Sequence, residues 1–303
     1  MGWGGIIIHS LQRDDMQRIA IIGLGLLGGS ICKRVRKVFP AAVIDAYGRS
    51  PLRLEAALKD GVIDSASGLE QISLAGVDLA VVCTPVISSI DIILAMLGRD
   101  DCVPTTRIID VGSVKSAIVK AVESSPRAGQ FIPCHPMAGS EKMGYEHSRD
   151  DLFDGATVVI TPHAGNAEED IAYIGRFWEA MGASIVSMDP EAHDAIAART
   201  SHLPHLTACA LVTVLDEFRR AKSTREIGAL IGRGFLDTTR LAAGSTEMWR
   251  DIAALNSDQI FLALDRLSDE IQWLKQAVKD APREPERVAE YLAGAKRIRE
   301  ELD

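Results

Sequence analysis

The sequence predicts an α/β protein, with a doubly wound parallel sheet in its first two-thirds and an all-helical last third. Three observations predict it. Strand-like apolar runs alternate with helical patterns as far as about Ser187. The first of these runs breaks into glycines at Gly23 and reopens as a helix. After Asp189, helical segments follow one another without strands. Such alternation implies a mostly parallel sheet with helices on both faces, and ligands of such sheets sit at the carboxyl ends of the strands. The expected division is a leader over residues 1–15, a sheet domain over 16–188 and a helical domain over 189–303.

Ile19 to Ile22 read as a buried first strand. Gly23, Gly25 and Gly28 then fall in the G-x-G-x-x-G spacing of a Rossmann-type dinucleotide turn. Gly23 permits the tight turn, Gly25 lets backbone approach a pyrophosphate, and Gly28 lets the helix pack on its strand. The backbone N–H groups at the helix start, Leu26 and Leu27, face the anion. Val43 to Tyr47 is the second strand, followed by Gly48, Arg49 and Ser50. Leu79 to Thr84 is the third, followed by Pro85, and Ile108 to Val111 the fourth, followed by Gly112, Ser113 and Lys115. Thr157 to Ile160 and Ser184 to Ser187 complete the expected sheet. In NAD-dependent folds an acid about 20 residues past the glycines binds the ribose 2′-hydroxyl. Gly48 holds that position here, with a guanidinium and a hydroxyl beside it at Arg49 and Ser50, so NADP is expected in preference to NAD. Asp45 would restore NAD if the strand ended three residues earlier, and Arg49 also reads as a solvated charge at a helix start.

In the helical third, Ile260, Leu264, Leu267, Ile271, Leu274 and Val278 recur at steps of four and three, a stripe on a helix that Asn256 or Ser257 can cap. The stripe suits a dimerisation surface or an intramolecular bundle. Pro282 and Pro285 separate this helix from a last one, Glu286 to Leu302.

Composition bounds the function. The 303 residues, 47% of them hydrophobic, can build two cores, and a net charge of −9 argues against non-specific nucleic-acid binding. No apolar run approaches the roughly 20 residues of a membrane span. The five cysteines form no C-x-x-C pair and lie partly in apolar runs, as reduced thiols of a cytoplasmic protein do. The opening MGWGGIIIHSLQRDD lacks a basic n-region and a long apolar core, and reads as a disordered extension.

Three clusters carry candidate chemistry. In PCHPMAGSEKMG, His135 follows an apolar run and leads into a glycine-rich loop; it reads equally as a base taking a hydroxyl proton while hydride leaves the same carbon, or as a structural histidine. In SHLPHL, Ser201 and His205 share a helix face and Pro204 loosens the helix. His202 and His205 lack an acidic or cysteine neighbour at metal-site spacing, so no metal is expected. In RGFLDTTRLAAGSTEMW, Arg240 reads as a fork for a carboxylate, steadied by Asp237, or as a solvated surface group.

HPMAGSEKMG, DVGSVK, SHLPH and GFLDTTRLAAGSTEMWRD together resemble, in order, the prephenate and arogenate dehydrogenases of tyrosine biosynthesis, from about Gln17 to at least Gln276. The resemblance implies NAD(P)-linked oxidative decarboxylation in a homodimer: hydride leaves ring C4, the ring carboxylate departs as carbon dioxide, and aromatisation drives the step. Prephenate gives 4-hydroxyphenylpyruvate and arogenate gives tyrosine. By the same resemblance His135 accepts the ring hydroxyl proton and Ser113 orients it and touches the nicotinamide. Ser201 and His205 bind substrate, and Arg240 anchors a carboxylate. Glu141 and Asp237 network with that arginine, and Trp249 approaches the partner's site. With no fused mutase or regulatory domain expected, tyrosine feedback would act by competition. Two other readings stay open: a hydroxy-acid dehydrogenase using a lysine such as Lys222, and a non-catalytic cofactor-sensing protein.

Overall fold

β1 (Arg18–Ile22) is the centre of a parallel sheet. The computed structural model describes residues 16–139, 142–221 and 224–302; the leader 1–15, Glu141 and Lys222 lie outside the described residues. β2 (Val43–Tyr47), β3 (Ser65–Ser67), β4 (Leu79–Val82), β5 (Arg107–Asp110) and β6 (Phe131–Ile132) complete six strands in the order β3-β2-β1-β4-β5-β6. Every pairing in it is parallel. Successive strand side chains point to opposite faces. Ile19 and Ile21 accordingly enter one core with Val35, Val81 and Ile109, while Ala20 and Ile22 enter another with Ala80, Val82 and Ile108. A strand apolar at every position is what a sheet covered on both faces requires. The covering helices include α1 (Leu26–Val38), α2 (Pro51–Lys59), α3 (Val86–Leu97) and α4 (Ser116–Val122). Strand order reverses between β1 and β4, which opens a crevice at their carboxyl ends.

The expectation that Thr157–Ile160 and Ser184–Ser187 join this sheet is corrected. As β8 and β9 they form a second sheet with β7 (Cys134–Pro136), β7 antiparallel to β8 and β8 parallel to β9, with α5 (Glu168–Ala180) between the last two in sequence. Pro133 supplies the reason. It has no N–H for the ladder, so β6 stops after two residues, and the next N–H, that of Cys134, goes to the Asp110 carboxylate at 3.1 Å.

α6 (Pro190–Ala197) is capped by Asp189, whose carboxylate accepts the N–H groups of Glu191 and Ala192. A π-turn over Ala198–His202 precedes α7 (Leu203–Ala221). Pro204 cannot donate to the regular helical ladder, and the wider turn absorbs that loss. α8 (Thr224–Leu230), α9 (Arg233–Thr239), a 3-10 turn (Arg240–Ala243) and α10 (Thr246–Leu255) follow; Ser245 caps α10 by accepting the Met248 N–H. The chain divides into two compact units after Asn256. Although the last strand ends at Ser187, α6 is tied to the first sheet: the Asp194 carboxylate accepts the N–H groups of Lys115 at 2.8 Å and Ser116 at 2.9 Å, at the start of α4.

The second unit is the pair α11 (Ser257–Asp280) and α12 (Pro285–Glu301). Trp273 stacks on Tyr291 at 4.9 Å, and Arg287 reaches Asp280 at 3.2 Å. Along the α11 stripe Leu264, Ile271 and Val278 stay 40%, 54% and 57% exposed. No described helix is long and apolar enough to cross a membrane.

Candidate active site

The glycine turn divides its labour by space. Gly23 has φ +101°, and a Cβ there would lie 2.8 Å from the Cys83 carbonyl oxygen. At Gly28 a Cβ would lie 2.1 Å from the Gly23 oxygen, so only glycine lets α1 sit this close to the turn. Gly25 is the opposite case, with nothing within 4 Å of its absent Cβ. That open face meets the first N–H groups of α1, Leu26 and Leu27 among them, which have no partner within the helix. A dinucleotide pyrophosphate fits there. Thr84 and Pro85 flank the crevice, Thr84 fastened to Ser89 at 2.9 Å and Pro85 preceding α3. At the end of β2, Asp45 lies inside the strand, takes the Ser65 hydroxyl at 2.5 Å and pairs with Arg18 at 3.4 Å. Gly48 donates its N–H to Ser67, Arg49 is exposed, and Ser50 starts α2 without a side-chain capping bond.

His135 lies on β7 opposite Val159, just beyond the carboxyl end of the first sheet, and is 9% exposed. An ion pair holds it in place. The fully buried Lys115 ammonium bonds the Asp110 carboxylate and the Cys134 carbonyl at 2.8 Å, while Asp110 takes the Cys134 N–H. Strand β5, its following loop and the residue before His135 are thereby one piece. His135 Nδ1 meets His193 Nε2 at 2.8 Å, and His193 Nδ1 meets Asp194 Oδ1 at 2.8 Å. Burial, then the neighbouring His193, Lys115 and His202, holds the His135 pKa well below its ordinary value, so the ring is uncharged at neutral pH. Ser113, expected to orient His135, makes no hydrogen bond to it; His193 holds His135 Nδ1 instead.

The π-turn presents the other cluster. His202 is buried, its Nδ1 3.2 Å from the Asn256 amide nitrogen, which also donates to the Asp194 carbonyl at 2.9 Å. Burial pushes the His202 pKa down to about 4. His205, one turn on, bonds the backbone of Leu241, and burial lowers its pKa too. Arg240, next to Leu241 in the chain, is exposed, as is Asp237 on α9, and Ser201 is half-buried in the π-turn. Trp249, expected at the partner's site, stacks on His205 of its own chain, ring centroids 3.5 Å apart. Gly244 makes room: a Cβ there would lie 2.8 Å from the Trp249 ring nitrogen. Among the described residues no cluster of three or more His, Cys, Asp or Glu could hold a metal ion.

His193, Asp194 and Asn256 escaped the sequence reading as site residues. The available signal was the pair His193-Asp194 at the start of a capped helix, two polar groups among Ala192, Ala195, Ile196 and Ala197.

An anion-binding turn at the strand ends, with an uncharged imidazole beyond the same edge, belongs to the dehydrogenases that use a nicotinamide dinucleotide. Comparison with known proteins narrows the class. Residues 31–187 match the family model described as prephenate dehydrogenase, nucleotide-binding domain, and residues 189–294 that described as prephenate dehydrogenase, dimerization domain. The chain is 31% identical to a cyclohexadienyl dehydrogenase of Zymomonas mobilis, over 86% of this chain and 88% of that protein. It is 32% identical to a prephenate dehydrogenase of Bacillus subtilis, over 94% of this chain and 76% of that one. A crystal structure of prephenate dehydrogenase from Aquifex aeolicus, in complex with hydroxyphenyl propionate and NAD+, superposes with a TM-score of 0.85 at 32% identity, covering 95% of this chain and 99% of that one. The chain belongs to the prephenate dehydrogenase family and is an oxidoreductase.

Proposed function

We propose that this protein catalyses the oxidative decarboxylation of prephenate to 4-hydroxyphenylpyruvate, with arogenate as a second substrate and NADP as the preferred cofactor. The observation that carries the reading is His135, buried, uncharged and fixed through Nδ1 beyond the carboxyl edge of the dinucleotide sheet. When bound, the nicotinamide accepts the hydride from ring C4. His135 accepts the C4 hydroxyl proton as that carbon becomes a carbonyl. Once the ring carboxylate has left as carbon dioxide and its electron pair has made the ring aromatic, the oxygen is a phenolate, and the proton on His135 is in place to return to it. Arg240 anchors a substrate carboxylate, Asp237 and Glu141 have the roles of its acidic partners, Ser201 and His205 bind substrate, and Trp249 backs His205. Ser113 contacts the nicotinamide.

NADP preference is supported by the end of β2. Asp45 is occupied inside the strand, Gly48 offers no carboxylate to repel a 2′-phosphate, and Arg49 stands next to it. The uncovered stripe of α11, in a region matched by a dimerization-domain model, supports a homodimer built from the helical part. Cysteines without disulfides support a cytoplasmic site. The test is to mix purified protein with prephenate or arogenate and either cofactor and to follow reduced nicotinamide. Turnover with prephenate is expected, and His135→Asn should lower kcat by about 10²-fold or more. No turnover with either substrate would overturn the reading.

A further inference from the structure

The bonds around His135 form a chain that ends on a carboxylate, and the protonation of each member follows from the one behind it. Asp194 accepts the Lys115 and Ser116 N–H groups, one on each oxygen. Burial alone would raise its pKa, but hydrogen bonds from His193, Lys115 and Ser116 outweigh that and hold it below the ordinary value. It is therefore a pure acceptor. His193 Nδ1, 2.8 Å away, therefore carries a proton toward it, and a His193 ring holding that one proton has its Nε2 bare. That bare nitrogen faces His135 Nδ1 at 2.8 Å, so His135 donates there. A neutral His135 with its proton on Nδ1 has a bare Nε2, the nitrogen a base needs.

We infer that His193, held by Asp194, is a positioning residue that sets the tautomer of His135 and shares the proton His135 takes up. The inference rests on His135 being the base. When His135 Nε2 takes the hydroxyl proton, the imidazolium Nδ1–H points at His193 Nε2. Moving along that bond, the proton makes His193 the cation, directly beside the Asp194 carboxylate, and leaves His135 neutral with its proton on Nε2. The reverse movement restores the imidazolium, whose Nε2 proton goes back to the phenolate. No proton need reach solvent, which suits a buried site whose reaction takes a proton from an oxygen and returns it to the same oxygen. His193, though only 3% exposed, forms part of the wall of a cleft of about 300 Å³ with Met137, Val159, Val186, Ile196 and Thr200.

The test combines a readout of tautomer with one of rate. Nitrogen NMR of the histidine rings in the free protein should show His135 protonated on Nδ1 alone, and His193→Ala should turn it into a mixture of tautomers. The same variant should lose about 10²-fold in kcat with KM within about threefold, and added imidazole, which the cleft admits, should restore part of the loss. If His193→Ala does not fold, His193→Phe replaces it: the ring keeps its volume but offers His135 Nδ1 no acceptor, so His135 should again become a mixture of tautomers. The inference is overturned if His135 keeps the Nδ1 tautomer in whichever variant folds, or if kcat stays within about twofold of wild type while His135→Asn is impaired. A fully active His135→Asn would remove the base itself, and the NMR of the free protein would still report separately on His193.

Discussion

Gly25 and Gly28 lie on one turn yet should fail in different ways when each receives a methyl group. At Gly28 the new Cβ would start 2.1 Å from the Gly23 oxygen and 3.3 Å from the Ile21 side chain. Contacts between carbon and its neighbours settle near 3.5 Å, so α1 must back away by roughly 1.4 Å. Overpacking of this kind costs about 1–3 kcal/mol, and each kcal/mol lowers Tm by about 2–4 °C in a unit of this size. Gly28→Ala should therefore melt about 2–12 °C early. Gly25→Ala meets nothing within 4 Å and should lose about 0.5–1 kcal/mol at the helix cap. Its methyl group instead intrudes on the pyrophosphate, and losing one or two hydrogen bonds to a charged group weakens cofactor binding by about 10–100-fold. Thermal melts without cofactor, and cofactor titrations followed by tryptophan fluorescence, separate the two effects. The reasoning is refuted if Gly28→Ala melts with wild type, or if Gly25→Ala binds cofactor as wild type does.

Three other outcomes follow from the site. Gly48→Asp, whose nearest neighbour is the Leu54 side chain at 3.7 Å, should fold normally and shift the NADP to NAD ratio of kcat/KM by about tenfold or more toward NAD; an unchanged ratio would move the 2′-phosphate contact elsewhere. Arg240→Gln should raise the prephenate KM by about 10–100-fold with kcat little changed, whereas equal damage to both would mean the arginine acts in the transition state. His202, with its folded pKa pushed from 6.5 to about 4, is neutral in the fold where the unfolded chain takes up a proton. Its contribution is thus complete above pH 6.5 and is lost as pH falls toward 4, roughly 3 kcal/mol across that window. Urea melts of wild type and His202→Asn at both ends of the window should show a weaker acid dependence in the variant, and parallel curves would contradict the assignment.

The parts of this protein written in local patterns were legible in the sequence. A glycine turn announces itself because each glycine answers a steric demand within a few residues, and continuous apolar runs such as Ile19–Ile22 mark strands buried on both faces. β3, β6 and β7 are two or three residues long, and β3 is mostly serine, so no period could reveal them. The split into two sheets turned on Pro133 and on a carboxylate more than twenty residues earlier in the chain. The same limit hid His193: its neighbours Asp194 and His135 are visible as residue types, but the bond between the two rings spans 58 positions. The self-contact of Trp249 rested on the missing Cβ of Gly244, a glycine that no turn rule singles out.

The buried Lys115–Asp110 pair bears on how such an enzyme can change over evolutionary time. Because it fastens the strand that carries His135 to the end of β5, the spacing between His135 and the first sheet is inherited as a fixed unit. Deleting either partner of a pair buried like this costs about 3–5 kcal/mol, a large share of the stability of an ordinary domain, so neither residue can drift alone. The turn that follows α9 is by contrast exposed at Arg240 and Leu241. On the proposed roles, variation in substrate can accumulate at Arg240 while the buried pair keeps His135 where it is.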